Sequence, residues 1–252
     1  MIRQIELFLI AIQFFTRIPI PNVDFTPEKL NSSSKYFPLV GVLVGVLVSL
    51  SYMVSSFIFS HSISILMSIF FSLILTGAFH EDGLSDFIDG IGGGYSKEKI
   101  LQIMKDSRIG SFGGIAISLY LLFKFTSLNE ISSFYLPLVF VSAHSLSRFT
   151  SISLIYSLNY VSEDGKSKPL AKKMKFYELI LALLFGILPL FTFKSFFIFI
   201  LLIPQLLFRI FFYYYLNSKI NGFTGDSLGA AQQISEIIFY LSFIGLNKWI
   251  FI

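Results

Sequence analysis

The chain has 252 residues, of which 54% are hydrophobic and only 13% are charged. Its mean hydropathy of +0.76 is typical of a protein with several membrane spans. The sequence has no cysteine, which excludes disulfides, thiolate nucleophiles and cysteine-bound metals and leaves Mg²⁺ on carboxylate or imidazole as the default metal chemistry. The net charge of +4 comes without a basic run interleaved with aromatics, so we expect no nucleic-acid partner.

The apolar segments, in chain order, predict a helical membrane bundle. The first, Ile5–Phe15, ends without a small-residue cleavage site, which indicates a retained interfacial or re-entrant helix rather than a signal peptide. The later runs are each close to the roughly 20 residues that a bilayer requires and predict about seven spans, with six or eight as alternatives. These runs are 36–59, 62–79, 109–127, 131–156, 176–193, 195–216 and 231–250. They are too continuously apolar for barrel strands, so residues 1–252 are expected to form one all-α domain.

The distribution of lysine and arginine predicts the orientation. Most lie before residue 36 or in the segments 80–108, 157–175 and 217–230. The opposite side holds only Lys124, Lys194 and Lys248. The positive-inside rule therefore places the first set in the cytoplasm, with the chain in the cytoplasmic membrane. Three polar motifs then share the cytoplasmic face, and they are His80–Gly90, Lys105–Gly113 and Asn221–Ala231.

The first motif concentrates acid at the end of an apolar run. On a helix, Asp82, Asp86 and Asp89 fall within roughly a 60° arc, so the three carboxylates are able to converge. Carboxylates that close repel one another unless a cation joins them, which favours a metal site over a solvated helix end. His80 is open to three interpretations: a metal ligand, a proton shuttle or a polar residue at the interface.

The second motif places Lys105, Ser107 and Arg108 directly before a span. A guanidinium fork, an ammonium group and a hydroxyl suit phosphate oxygens, so we interpret the motif as a phosphate site. The alternative is ordinary positive flanking of a membrane span, which we accept for Lys97 and Lys99.

The third motif precedes the last span. Thr224, Asp226 and Ser227 are good helix N-caps, which explains part of the pattern without chemistry. Glu236, deeper in that span, needs a polar cavity or a partner because an ionised group in hydrocarbon is costly. The same holds for three basic side chains in other spans, and Arg148 is a candidate partner for Glu236. These side chains are His144, Arg148 and Arg209.

Five segments, in this order and spacing, resemble the cobalamin synthase family of membrane enzymes, the adenosylcobinamide-GDP ribazoletransferases. They are FFTRIPIP, YFPLVGVLVG, HEDGLSDFIDGIGGG, KDSRIGSFG and GFTGDSLGAA. The resemblance implies that α-ribazole or its 5′-phosphate is joined to adenosylcobinamide-GDP, with release of GMP and a requirement for Mg²⁺. The chain departs from the family at Gln233, where a glutamate is usual, and at Asn221, where a glycine is common.

Combining the motifs with the resemblance yields a hypothesis for each candidate residue. The metal ligands are Asp82, Asp86, Asp89 and Asp226, with Glu81 and Glu236 as further candidates. The substrate-binding and phosphate-binding residues are Lys105, Ser107, Arg108, Arg148, Thr224 and Gly225. The catalytic residues are His80, Asp82 and Asp226, with His80 or Asp226 as the base. The expected partners are the two substrates and the lipid bilayer, and homo-oligomerisation stays open.

Two other functions are weighed against this hypothesis. CDP-alcohol phosphatidyltransferases also place aspartates around Mg²⁺ at a helix end, but their pattern has Ala-Arg where this chain has Ser85-Asp86. A cation-coupled transporter would use Glu236, His144 and Arg148 near the midplane of the membrane. A transporter gains little from the three aspartates, and the sequence shows no inverted repeat.

Overall fold

The computed structural model describes residues 2–161 and 174–250, and apart from an isolated bridge between Tyr160 and Phe223 the regular elements there are helical. The α-helices are α1 (Ile2–Phe15), α2 (Pro27–Ser33), α3 (Phe37–Ser56), α4 (His61–Thr76), α5 (Phe79–Gly93), α6 (Lys97–Met104), α7 (Ser111–Asn129), α8 (Leu136–Ser157), α9 (Phe176–Ile187), α10 (Leu202–Ile220) and α11 (Gly225–Ile250). Short 3₁₀ helices cover Ser34–Tyr36, Leu188–Thr192 and Phe196–Leu201. The predicted all-α class is confirmed, while residues 162–173 of the predicted cytoplasmic segment 157–175 lie outside the described residues.

The structure does not confirm the predicted number of membrane spans. Within the described residues, 4 helical segments are long and apolar enough to cross a membrane, or up to 5 if α4 and α5 count as one bent span. The 4 segments are Pro27–Ser56, Ser111–Asn129, Leu136–Ser157 and Phe196–Ile220. The predicted run 176–193 is divided between α9 and a 3₁₀ helix and is a shorter apolar helix. A membrane-spanning bundle is supported, but the expected count of about seven is not.

The N-terminal helix α1 is present over the predicted segment Ile5–Phe15 and begins slightly earlier, at Ile2. Its 14 residues bury Leu7, Ile10 and Phe15 in the core, next to α2 and α3. Whether this helix lies at the membrane interface or re-enters the bilayer stays a prediction.

A sharp bend separates α4 from α5, whose axes differ in direction by 86°. Gly77 and Ala78 between them both have positive φ angles, 64° and 52°. The left-handed backbone is natural for glycine and costly for alanine. The Gly77 N–H donates to the Ile74 carbonyl, which ends α4. The predicted span 62–79 therefore stops at Thr76, and α5 crosses the end of α4 instead of continuing it.

Several charged and amide side chains lie inside the bundle, and many large apolar side chains face outward. Phe57, Leu122 and Phe211 are among the exposed hydrophobic residues. The buried residues include Lys124, His144, Arg148, Gln232 and Glu236. This distribution suits a bundle surrounded by lipid, where exposed apolar groups cost nothing and polar groups need partners inside the protein.

Glycines allow a close approach between α3 and α8. A Cβ atom added at Gly45 would lie 2.5 Å from the Val141 Cα and 2.8 Å from the Phe140 carbonyl oxygen. Both neighbours are backbone atoms that cannot turn away as a side chain would. Gly41 meets the backbone of Ser145 one turn along, with a Cβ-to-Cα separation of 2.8 Å. The two glycines therefore determine how closely α3 packs on α8.

We expect Gly45→Ala to lower the free energy of unfolding by about 1–3 kcal/mol, because the added methyl group forces α3 and α8 apart. Unfolding of the purified protein in mixed detergent micelles measures the change. Gly245→Ala is the matched control, since no atom lies within 4 Å of a Cβ at Gly245. Equal stability of the two variants would contradict the close contact.

Candidate active site

The predicted acidic helix is present, but its three aspartates differ in environment. Asp82 is exposed, Asp86 is half-buried and Asp89 is buried, all on α5. The negative charges of Asp82, Asp89 and Asp226 all act on Asp86. The structure therefore brings the first and third sequence motifs together, as the topology predicted.

Asp89 is directed at the start of α7. Its two carboxylate oxygens accept hydrogen bonds from the backbone N–H groups of Gly110 and Gly113, each at 2.8 Å. A carboxylate at a helix N-terminus satisfies free N–H groups and interacts favourably with the helix dipole. A Cβ at Gly113 would lie 2.7 Å from the Ser85 carbonyl oxygen, so only glycine allows this approach. The carboxylate predicted as a metal ligand thus joins α5 to the phosphate motif.

Asp226 reaches the acidic face through a close crossing of α5 and α11. A Cβ at Gly83 would lie 3.1 Å from the Asp226 Cα, and one at Gly229 would lie 3.1 Å from the His80 carbonyl oxygen. The two helices meet backbone to backbone at these glycines. Asp226 is consequently held beside Asp82 and Asp86 at the start of α11.

The start of α11 is capped as its sequence predicted. The Thr224 N–H donates to the Ser227 hydroxyl at 2.9 Å, and the Ser227 N–H donates to the Thr224 hydroxyl at 3.1 Å. Thr224 is buried, so its hydroxyl serves this cap. Asn221 ends α10 in a left-handed conformation with φ 55°, which asparagine tolerates better than most residues.

The donor chemistry of this face fits a hard divalent cation. Asp82, Asp86 and Asp226 offer carboxylate oxygens, the ligands that Mg²⁺ prefers. Within the described residues, no lysine or arginine lies within 4.0 Å of these carboxylates as an ion-pair partner. No group of three or more acidic, histidine or cysteine side chains there is arranged closely enough to hold a metal. The face thus carries uncompensated negative charge without a preformed metal cage.

The phosphate motif is exposed beside Asp89. Arg108 donates to the Asp106 carboxylate through Nε at 3.0 Å and Nη2 at 2.6 Å. The hydrogen bonds from Arg108 lower the pKa of Asp106 to about 2, so this carboxylate stays ionised. Lys105 and Ser107 are exposed, and a pocket of about 410 Å³ lies between Asp106, Arg108 and the start of α7.

His80 faces away from the acidic residues. Its ring is buried and stacks on Phe15 with a centroid separation of 5.1 Å. It lines a small internal cavity together with Arg148, Gln232 and Gly225. The cavity's volume of about 20 Å³ admits about one water molecule. The placement favours Asp226 over His80 as the residue nearest to a ligand on the acidic face.

Glu236 has a different partner from the candidate named from sequence. Its carboxylate pairs with Lys124 at 2.6 Å, and both side chains are almost fully buried. Tyr240 donates to it at 2.8 Å and Gln232 at 3.0 Å. Arg148 instead donates to the His144 carbonyl at 3.0 Å. Lys124, which the sequence analysis counted among the basic residues of the opposite side, turns its ammonium group into the bundle to reach this carboxylate.

Gln233, where the resemblance to the family implies a glutamate, lies between two helices and bridges them. Its amide nitrogen donates to Glu81 Oε1 at 2.9 Å, and its amide oxygen accepts from the Tyr120 hydroxyl. Lys124 donates to the same hydroxyl at 3.2 Å, so the network continues to the ion pair. An amide suits this position because it donates to a carboxylate and accepts from a hydroxyl at once.

The sequence reasoning missed Tyr120, Lys124 and Tyr240 as members of the buried network. The signal for Lys124 was present, since it lies inside the apolar run 109–127 and the rule applied to Glu236 applies equally to it. Tyrosines carry no such signal, because their ring alone justifies a place in a bundle. Arg209 does find the polar surroundings expected of it, donating to Ser157 at 2.6 Å.

The fold and the acidic helix define the class of this chain as a helical membrane-bundle protein, and comparison with known proteins gives its family. Residues 7–244 match the family model described as cobalamin-5-phosphate synthase. A protein of Shewanella piezotolerans named adenosylcobinamide-GDP ribazoletransferase is 46% identical over 95% of both chains. A protein of Vibrio parahaemolyticus with the same name is also 46% identical, over 97% of this chain and 94% of its own. No solved structure matches the chain. The chain belongs to the cobalamin-5-phosphate synthase family, as the sequence motifs predicted.

We expect Lys124→Met to lower the free energy of unfolding by about 3–5 kcal/mol, because it leaves the Glu236 carboxylate buried without a cation. Lys124→Met combined with Glu236→Gln should recover most of the loss. Lys194→Met is the control, since Lys194 is exposed. Unfolding in mixed micelles measures all three, and a single variant as stable as the control would refute the ion pair.

We expect Gln233→Glu to lower the free energy of unfolding by about 1–3 kcal/mol. The introduced carboxylate would face the Glu81 carboxylate, to which the Gln233 amide now donates a hydrogen bond. Exchanging the pair, with Glu81→Gln and Gln233→Glu together, restores one amide and one carboxylate and should recover the stability. The same micelle unfolding assay tests both variants. If the exchange fails to improve on the single variant, the two side chains are not direct partners.

Proposed function

We propose that the chain transfers the adenosylcobinamide phosphate of adenosylcobinamide-GDP to a ribose hydroxyl and releases GMP. The acceptor is the 5′-side hydroxyl of α-ribazole or, as the alternative, another ribose hydroxyl of α-ribazole 5′-phosphate. Membership of the family and the names of the two relatives support this reaction. The observation that carries it is the uncompensated acidic face of Asp82, Asp86 and Asp226, joined through Asp89 to a Lys/Arg motif. Cation-bound carboxylates and basic side chains are what phosphoryl transfer requires.

The reaction needs one bond formed and one broken at the same phosphorus. The oxygen of a ribose hydroxyl attacks the phosphorus that carries cobinamide, and the bond from this phosphorus to the bridging oxygen of the diphosphate breaks. GMP leaves with the bridging oxygen, and the hydroxyl proton passes to a base. We assign the base to Asp226, because His80 is stacked on Phe15 and faces the internal cavity.

Asp82 and Asp86 would hold Mg²⁺, with Asp226 beside them as the base. When bound, Mg²⁺ supplies charge neutralisation to the diphosphate and to the leaving GMP. Asp89 positions the second motif by capping α7, so that Lys105 and Arg108 lie near the phosphates. Glu81 and Glu236 are already engaged with Gln233 and Lys124, which leaves them outside the proposed metal site.

The orientation completes the proposal. Lys97, Lys99, Lys105 and Arg108 flank the acidic helix, and the positive-inside rule assigns this end of the bundle to the cytoplasm. We place the chain in the cytoplasmic membrane, with the site open to the compartment that contains nucleotide-activated substrates. A transporter fits less well, because the intramembrane carboxylate of Glu236 is neutralised by Lys124.

We expect Asp82→Asn, Asp86→Asn and Asp226→Asn each to reduce GMP release by about 100-fold or more, since each removes a charge that stabilises the reacting phosphates. The assay combines purified protein in nanodiscs with Mg²⁺, α-ribazole and adenosylcobinamide-GDP, and chromatography measures GMP. Asp24→Asn is the control, because Asp24 is an exposed acid paired with Lys29. Unchanged elution and melting temperature show that the variants fold, and full turnover by any of the three removes that residue from the site.

A further inference from the structure

Another pocket lies at the bend between α4 and α5, and Asp82 is part of its lining. Its volume is about 620 Å³, and its polar lining includes Gln13, Thr16, Arg17, Thr76 and Asp82. Asp82 thus belongs to this pocket and to the acidic face at the same time. No role was assigned to Arg17 from the sequence.

Arg17 is fixed beside the bend by contacts at both ends of the residue. Its backbone N–H donates to the Leu75 carbonyl at 2.7 Å, which ties the segment after α1 to the last turn of α4. Its guanidinium lies against Gly77, where an added Cβ would be 2.5 Å from Nε and 3.1 Å from Nη2. Gly77 also has a φ of 64°, so a glycine at this position allows both the left-handed turn and the close approach of the guanidinium. The cation is positioned in advance of any ligand.

The charge of Arg17 is not neutralised by a neighbouring acid. Within the described residues, no carboxylate lies within 4.0 Å of its guanidinium, and the side chain is exposed to the pocket. Arg108 of the phosphate motif differs, because Asp106 accepts its Nε and Nη2 hydrogen bonds. Unlike Arg108, Arg17 therefore has guanidinium N–H donors that are free to bind a ligand.

We propose that Arg17 and the pocket at the α4–α5 bend form a binding subsite for the diphosphate of the nucleotide-activated substrate. A guanidinium fork matches two phosphate oxygens, and its pre-organisation against Gly77 reduces the entropy lost on binding. Asp82 at the pocket wall joins this subsite to the acidic face. The assignment rests on the proposed function and adds a residue for substrate binding that lies outside the three polar motifs.

The test measures binding of inorganic pyrophosphate to the full chain by titration calorimetry, with Mg²⁺ present and with nanodiscs of zwitterionic lipid. We expect Arg17→Gln to weaken binding by about 10-fold or more, and Arg17→Lys to weaken it less, because the charge is kept and the fork is lost. Arg3→Gln, on an exposed arginine of α1, is the control. In the GMP assay, Arg17→Gln should raise the KM for adenosylcobinamide-GDP much more than it lowers kcat.

Each result bears on the subsite directly. Equal pyrophosphate affinities for Arg17→Gln and Arg3→Gln would overturn it, as would a loss of affinity for pyrophosphate in wild-type protein on adding anionic lipid, which would assign the pocket to lipid headgroups. Arg17→Lys keeps the test valid if Arg17→Gln fails to fold. Wild-type protein that binds pyrophosphate through Arg17 but releases no GMP would refute the proposed reaction and leave the subsite standing.

Discussion

The buried ion pair of Lys124 and Glu236 is the interaction on which the arrangement of the bundle depends. Opposite charges in an apolar interior are tolerated only as partners, so α7 and α11 must meet with these two side chains in register. Tyr240, Gln232 and His144 surround the same carboxylate and extend the constraint to α8. Because each partner would be costly if left alone, the pair specifies one relative placement of the three helices.

The candidate site is built at one end of this arrangement. Gly83 and Gly229 let α5 and α11 touch backbone to backbone, which brings Asp226 to the acidic helix. Asp89 caps α7 and brings the Lys/Arg motif to the same place. The helices of the site are therefore joined in two ways. Glycines without side chains allow close backbone contact, and the Asp89 carboxylate accepts hydrogen bonds from free N–H groups at the start of α7.

Sequence reasoning was most successful where the signal is local. The acidic motif is helical, Thr224 caps α11, and the family follows from five motifs in order. It was less successful where helix ends and partners matter. The run 62–79 ends at a left-handed Gly77 that hydropathy cannot detect, and the run 176–193 is interrupted by a 3₁₀ helix. Both depend on backbone geometry rather than on the apolar character of the residues, which is why hydropathy alone did not locate these helix ends.

The sequence by itself determined that this is a helical membrane protein of the cobalamin-5-phosphate synthase family with its acid concentrated on one helix. Composition and motif order suffice for those conclusions, because each depends on residue type along the chain. Only the tertiary structure decided which polar and charged side chains have a partner within the protein and which do not. Asp89 caps α7, Glu236 forms an ion pair with Lys124, and Gln233 donates a hydrogen bond to Glu81. Arg17 has no acidic partner among the described residues. Partner choice depends on distances between helices, and those are fixed only when the bundle packs.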